Sequence, residues 1–112
     1  MNLPYFDLKG KVALVSGGAT GIGRGIAEGL AEAGASVAIA ARRLEICEIA
    51  CREIREKYGV ETLPARCDIT QADDIAAMVG GVIQRLGHVD ILVNNAGIGG
   101  SEKPILKMTE AD

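Results

Sequence analysis

Apolar residues along this chain fall into two alternating rhythms. Lys11-Val-Ala-Leu-Val-Ser16 is a short apolar run, preceded by Gly10 and followed by Gly17-Gly18, and predicts a buried strand. From Gly21 to Ala33 the period changes: Ile22, Ile26 and Leu30 recur every four residues, and Gly34 stands where a glycine closes a helix. A second run, Ser36-Val-Ala-Ile-Ala-Ala41, predicts another strand. Leu44, Cys47, Cys51, Ile54 and Tyr58 then trace a helical stripe that stops at Gly59. Glu61 to Cys67 predicts a third strand, which Pro64 weakens or places at a sheet edge. Thr70 with Asp73 predicts a helix N-cap and an acidic first turn, and Ile75, Val79, Val82 and Leu86 carry that helix to Gly87. Val89-Asp-Ile-Leu-Val-Asn94 predicts the fourth strand. The pattern turns loop-like after Gly97, and Thr109-Glu-Ala-Asp112 predicts a helix beginning.

Strand and helix thus alternate as βαβαβαβ with short connections. Right-handed crossovers turn that order into an α/β fold, a doubly wound parallel sheet with helices on both faces. With 112 residues there is room for one compact domain. No repeat, linker or low-complexity segment interrupts it.

Composition sharpens this picture. The chain is 48% hydrophobic and 24% charged, an ordinary globular balance. Its aromatics are Tyr5, Phe6 and Tyr58 alone, so Ala, Val, Ile and Leu must build the core, as in a buried parallel sheet. A net charge of −3 gives no reason to expect a nucleic acid or an anionic membrane as partner. No apolar run approaches the roughly 20 residues that span a bilayer. Met1 to Leu8, with Pro4 and Asp7, does not read as a signal peptide. Cys47, Cys51 and Cys67 are odd in number and match no zinc spacing. Core filling is their expected role, with no metal site, in a reducing, cytoplasmic setting. His88, the only histidine, is expected in a surface loop.

The chemistry concentrates in Ser16-Gly-Gly-Ala-Thr-Gly-Ile-Gly23, between the first strand and the first helix. A helix N-terminus presents unpaired N–H groups and a partial positive charge, and so attracts phosphate. Close approach of a pyrophosphate requires that side chains be absent, which predicts glycine at Gly17, Gly21 and Gly23. The spacing is not G-x-G-x-x-G. A P-loop nearly fits from Gly18 to Gly23, but Arg24-Gly25 replace the Lys and Ser/Thr that hold phosphates and Mg²⁺. A glycine turn without any ligand is the remaining alternative.

Ser16-Gly17-x-x-x-Gly21-Ile22-Gly23 resembles the T-G-x-x-x-G-I-G motif of the short-chain dehydrogenase/reductase family, with Ser in place of Thr. Asn94-Asn95-Ala96-Gly97 resembles the same family's N-N-A-G motif, Cys67-Asp68-Ile69 its D-[VI] element, and Gly87-x-x-Asp90-Ile-Leu-Val its lead into N-N-A-G. The likeness runs from about residue 6 to 108, and in wording is similar to the 3-oxoacyl-[acyl-carrier-protein] reductase and gluconate 5-dehydrogenase branches. It implies a Rossmann fold, and a turn of Gly17, Gly18, Ala19, Thr20, Gly21, Ile22 and Gly23 that cradles a cofactor pyrophosphate. It implies that Asp68 accepts a hydrogen bond from the adenine amino group, that Ile69 offers its backbone N–H to the ring, and that Asn95, Ala96 and Gly97 line the ribose. Asn94 and Asp90 are expected to be structural. At the end of the second strand an acid selects NAD and an arginine NADP. Ala40-Ala41-Arg42-Arg43 therefore predicts NADP, with NAD the lesser alternative, Arg42 the leading phosphate ligand and Arg43 the second.

The family's catalytic Tyr-x-x-x-Lys pair, serine and asparagine all follow the fourth strand, and none has a counterpart downstream here. The chain is accordingly expected to be the N-terminal dinucleotide-binding part, residues 1–112, of a single Rossmann domain truncated after its fourth strand, and to be inactive alone. Tyr5-Phe-Asp-Leu-Lys9 matches the pair letter for letter but precedes the first strand. The family's lead-in F-x-L-x-G-K, here Phe6 to Lys11, explains it. The complete protein is expected to be a homo-oligomeric oxidoreductase acting on a small carbonyl or secondary alcohol. The alternatives are a non-catalytic dinucleotide-binding fragment or a gene remnant.

Overall fold

The structure, a computed structural model, describes residues 7–68 and 70–95. Ile69, Ala96 and Gly97 lie outside the described residues, as do Tyr5, Phe6 and the helix start expected at 109–112. The elements run β1 (Val12–Ser16), α1 (Gly21–Glu32), β2 (Ser36–Ala41), α2 (Leu44–Tyr58), β3 (Thr62–Arg66), α3 (Ala72–Leu86) and β4 (Ile91–Asn94). All pairings are parallel, in the order β3-β2-β1-β4, so the doubly wound arrangement is as the alternation predicts. β2 and α2 have the expected bounds, while β1, β3 and β4 are shorter than their apolar runs.

Each face of the sheet has its own core. On one, Val15, Val37, Ile39 and Val93 meet Ala27 and Ala31 of α1 and Cys47, Ala50, Cys51 and Ile54 of α2. On the other, Val12, Leu14, Ala38 and Ala40 meet Met78 and Val82 of α3, with Cys67 beside them. Because β1 is covered on both faces, all five of its residues are buried, which explains its unbroken apolar run.

The helical stripes need correction. In α1 the buried positions are Gly23, Ala27 and Ala31, one residue beyond the Ile22, Ile26 and Leu30 stripe. Small side chains let α1 lie close on the sheet. Ile26 and Leu30 pack at the margin, and Ile22 is 62% exposed. In α2, Leu44 is partly exposed and Ala50 is buried in addition to the cysteines and Ile54. In α3, Met78 and Val82 are buried, whereas Ile75 is exposed.

Thr70 is not the cap of α3. The N-cap is Gln71, without a side-chain cap bond, and Thr70 instead donates to Asp68. The acidic first turn is present, as Asp73 and Asp74. Gly59 closes α2 in the left-handed region, at φ +73°. The three cysteines are buried free thiols. Burial pushes the Cys51 thiol up to about 11, so it behaves as an apolar filler.

Pro64 sits opposite Ile39 on β3, which has no outer partner among the described residues. The Val37 N–H donates to the Glu61 carbonyl and the Cys67 N–H to the Ala41 carbonyl. Peptide groups at odd positions of β3 therefore face β2, and the nitrogen of Pro64 faces outward, where no ladder donor is lost.

Candidate functional site

The strand order fixes where a ligand can enter. The chain builds β1, β2 and β3 outward in one direction, then returns through α3 to place β4 on the other side of β1. In open α/β sheets such a reversal opens a crevice at the carboxyl ends of the strands. Register ties the following loops into a row there. Cys67 donates its N–H to the Ala41 carbonyl at 2.8 Å, Gly17 to Ala40 at 2.7 Å and Asn95 to Ser16 at 3.1 Å. Asp68, Arg42, Gly17 and Asn95 accordingly line one edge.

The glycines of the turn answer to different constraints. Gly17 and Gly21 hold φ of +72° and +59°, a region that side chains disfavour. Gly23 is demanded by packing: a Cβ there would collide with the Gly17 carbonyl and the Asn95 amide. A Cβ on Gly18 would meet Val15 Cγ1 at 3.0 Å. Ala19 is buried against the α1 side of the sheet. Thr20 is the extended N-cap of α1, exposed, and its hydroxyl makes no cap bond. The first turn of α1 has no acidic residue, whereas α2 begins with Glu45 and α3 with Asp73 and Asp74. The positive end of α1 alone is left without a local counter-charge.

β4 is fastened to this turn. The buried Ser16 hydroxyl donates to Asn94 Oδ1 at 3.0 Å, with the Val93 carbonyl at 3.4 Å. Asn95 Nδ2 donates to the Gly17 carbonyl at 3.4 Å. Asn94 thus ties neighbouring strands, as expected, and Asn95 seats the end of β4 on the glycine turn.

The two arginines after β2 differ. Arg43 pairs through Nε with Glu45 Oε2 at 3.0 Å, on an exposed surface. Arg42 is exposed and forms no ion pair among the described residues. Arg24, which stands where a P-loop lysine would, binds Glu28 at 2.9 Å and Glu53 at 2.9 Å and so clamps α1 to α2. Its guanidinium is committed to that network.

Asp68 follows β3. Its Oδ1 accepts the Thr70 hydroxyl at 2.7 Å and the Thr70 N–H at 3.0 Å. These bonds hold its carboxyl below the usual range, helped by the charges of Arg42 and Arg66. His88 is half-exposed at the opposite end of the sheet, its Nε2 3.0 Å from Asp90 Oδ2 and 3.1 Å from the Gly10 carbonyl oxygen.

Ser16, Thr70 and Asp74 gained roles that the sequence had not assigned. For Thr70 the signal was present: Asp-x-Thr is the spacing of an Asx turn, which competes with capping. Two shallow clefts of about 270 and 330 Å³ flank β3 and α3, and neither is lined by the glycine turn. Among the described residues no helix is long and apolar enough to cross a membrane.

The profile of the short chain dehydrogenase family matches residues 11–112. A 7alpha-hydroxysteroid dehydrogenase of Escherichia coli is 42% identical over 103 residues, which are 92% of this chain and 40% of the relative. A sorbose reductase of Candida albicans is 37% identical over 91% of this chain and 36% of its own length. The crystal structure of L-sorbose reductase from Gluconobacter frateurii, complexed with NADPH and L-sorbose, superposes with a TM-score of 0.79 at 40% identity. It covers 82% of this chain and 35% of that one. The chain therefore spans well under half the length of these relatives.

Proposed function

The chain belongs to the short-chain dehydrogenase family, and from that premise we propose that it is the cofactor-binding part of an NADP-dependent oxidoreductase. The observation that carries the reading is the convergence of the glycine turn, Arg42, Asp68 and Asn95 at one carboxyl edge, where the strand order reverses.

The residues present fit a dinucleotide phosphate. Gly23 admits no side chain, so the backbone of the turn stays open, and the uncapped N–H groups of α1 face no local acid. Gly17, Gly18, Ala19, Thr20, Gly21, Ile22 and Gly23 would hold the pyrophosphate through backbone N–H groups. Ile22, the most exposed large apolar residue among those described, would be covered by the bound dinucleotide. Arg42, which makes no direct ion pair among the described residues, would take the adenosine 2′-phosphate, and Arg43, engaged with Glu45, would assist. Asp68 and Ile69 would hold the adenine, and Asn95, Ala96 and Gly97 the ribose. NADPH in the sorbose reductase relative supports NADP over NAD.

When bound, the nicotinamide supplies or accepts a hydride, exchanged with a small carbonyl or secondary alcohol. This chain's own residues bind and orient, and proton transfer belongs to groups that a longer, homo-oligomeric, cytoplasmic protein would add. The 112 residues are then expected to bind without turnover. The test is titration of the chain with NADP, NAD and ATP by calorimetry. Binding ordered NADP over NAD, with ATP weaker than both, is the expected result; no dinucleotide binding by the folded chain would sink the reading.

A further inference from the structure

Asp68 is held more tightly than a loop carboxylate needs to be. Its N–H donates to Asp74 Oδ2 at 3.2 Å, its carbonyl accepts the Gln71 N–H at 2.9 Å, and its Oδ1 takes both bonds from Thr70. Asp74 is itself fixed, its Oδ2 lying 3.6 Å from Arg66 Nη1. Every polar group of Asp68 except Oδ2 is thus bonded among the described residues. The side chain is locked about the Asx turn with one acceptor left over.

A locked single acceptor has a chemical consequence. A 6-amino purine offers it an N–H, whereas a 6-oxo purine offers a carbonyl oxygen and sets two acceptors against each other. Rotation of a carboxylate only exchanges its two acceptor oxygens, but a side chain free to swing about χ1 would turn away from that repulsion, and one tied at Oδ1 cannot. Sites built to accept a particular hydrogen bond reject the analogue that lacks it.

We propose that Thr70 is a positioning residue for base selection: by occupying Oδ1 of Asp68 it leaves Oδ2 as the one acceptor that distinguishes a 6-amino from a 6-oxo purine. The inference rests on the reading of Asp68 as the adenine acceptor. A hydrogen bond to a charged group contributes about 1.5 kcal/mol or more, so the preference for NADP over its hypoxanthine analogue should be roughly tenfold.

The experiment titrates both dinucleotides into this chain and reads the ratio of dissociation constants. Thr70→Val keeps the backbone bond and the branched shape but loses the hydroxyl; the ratio should fall to about threefold or less. Thr70 is exposed, and Thr70→Ala should repeat the result in a different shape, while Thr70→Ser restores the wild-type ratio. A purely structural role would weaken both ligands alike and leave the ratio unchanged. An undiminished ratio in Thr70→Val and Thr70→Ala overturns the proposal for Thr70 while leaving dinucleotide binding intact. Equal affinity of the unsubstituted chain for both ligands overturns it through Asp68. Failure of that chain to bind either one defeats the cofactor reading itself.

Discussion

Asp90 and Val12 exchange a pair of hydrogen bonds outside the strand ladder. The Val12 N–H donates to Asp90 Oδ2 at 2.9 Å, and the Asp90 N–H donates to the Val12 carbonyl at 2.8 Å. The clasp sits at the amino end of β1 and β4, as Ser16 and Asn94 sit at the carboxyl end. The central strand pair is therefore pinned at both ends by side chains, one polar contact remote from the carboxyl edge of the sheet and one beside it. This separation allows stability and binding to be probed apart.

Asp90→Ala removes a charged acceptor from a part-buried N–H. A loss of about 1–2 kcal/mol is expected, read from chemical denaturation, with NADP affinity of the folded chain unchanged. An equal drop in affinity would show that the two ends of the sheet are coupled.

Glycines of α1 should respond with opposite signs. Gly23→Ala drives a methyl into the Gly17 carbonyl and should cost about 2–3 kcal/mol. Gly29→Ala meets nothing within 4 Å on an exposed helical face and should stabilise by about 0.5–1 kcal/mol. Denaturation midpoints that move in the same direction would contradict the packing described for α1.

Arg42→Ala should weaken NADP binding about tenfold to a hundredfold, at about 1.5–3 kcal/mol per charged hydrogen bond, and barely alter NAD. Arg43→Ala should cost less, since Glu45 already holds that guanidinium. The difference should shrink in high salt. Equal losses for NAD and NADP would remove the 2′-phosphate assignment.

Acid should loosen the α1–α2 clamp. The Tyr58 hydroxyl donates to Glu28 at 3.0 Å and, with Arg24 and Lys57, holds the Glu28 carboxyl below its usual range despite some burial. A group whose folded pKa is depressed stabilises fully above its unfolded value, roughly pH 4.3 for Glu, and loses that contribution as pH falls through the lower folded value. Thermal midpoints measured downward from pH 6 should fall more steeply for the natural chain than for Glu28→Gln. Parallel curves would mean that the network adds nothing to stability.

Strand and helix order was legible because the apolar period changes from one element to the next and glycines mark several of the junctions. β2 and α2 were read to the residue because the charged pair Arg42-Arg43 breaks the apolar run between them and Gly59 closes the helix. The buried face of α1 was missed because Gly23, Ala27 and Ala31 carry little apolar bulk, and the larger isoleucines drew the stripe to themselves. Sequence patterns weigh hydrophobicity, while close helix–sheet contact selects for smallness. The site was legible as a set of segments, and β4 and the glycine turn do meet. The bond from Ser16 to Asn94 depends on side-chain geometry across 78 positions that spacing alone does not encode, whereas the one from Thr70 to Asp68 is local and follows an Asx-turn spacing.

Pro64 gives the sheet a direction of growth. The outward-facing peptide groups of β3 belong to Thr62, Pro64 and Arg66, and the middle one has no hydrogen to give. That edge is a terminator: a strand from a neighbouring molecule would find its row of donors interrupted at the centre. The flank of β4 carries no such block among the described residues. Further strands, whether from the same polypeptide or from another, are thereby directed to β4. The sheet is a one-ended template whose open flank adjoins the glycine turn.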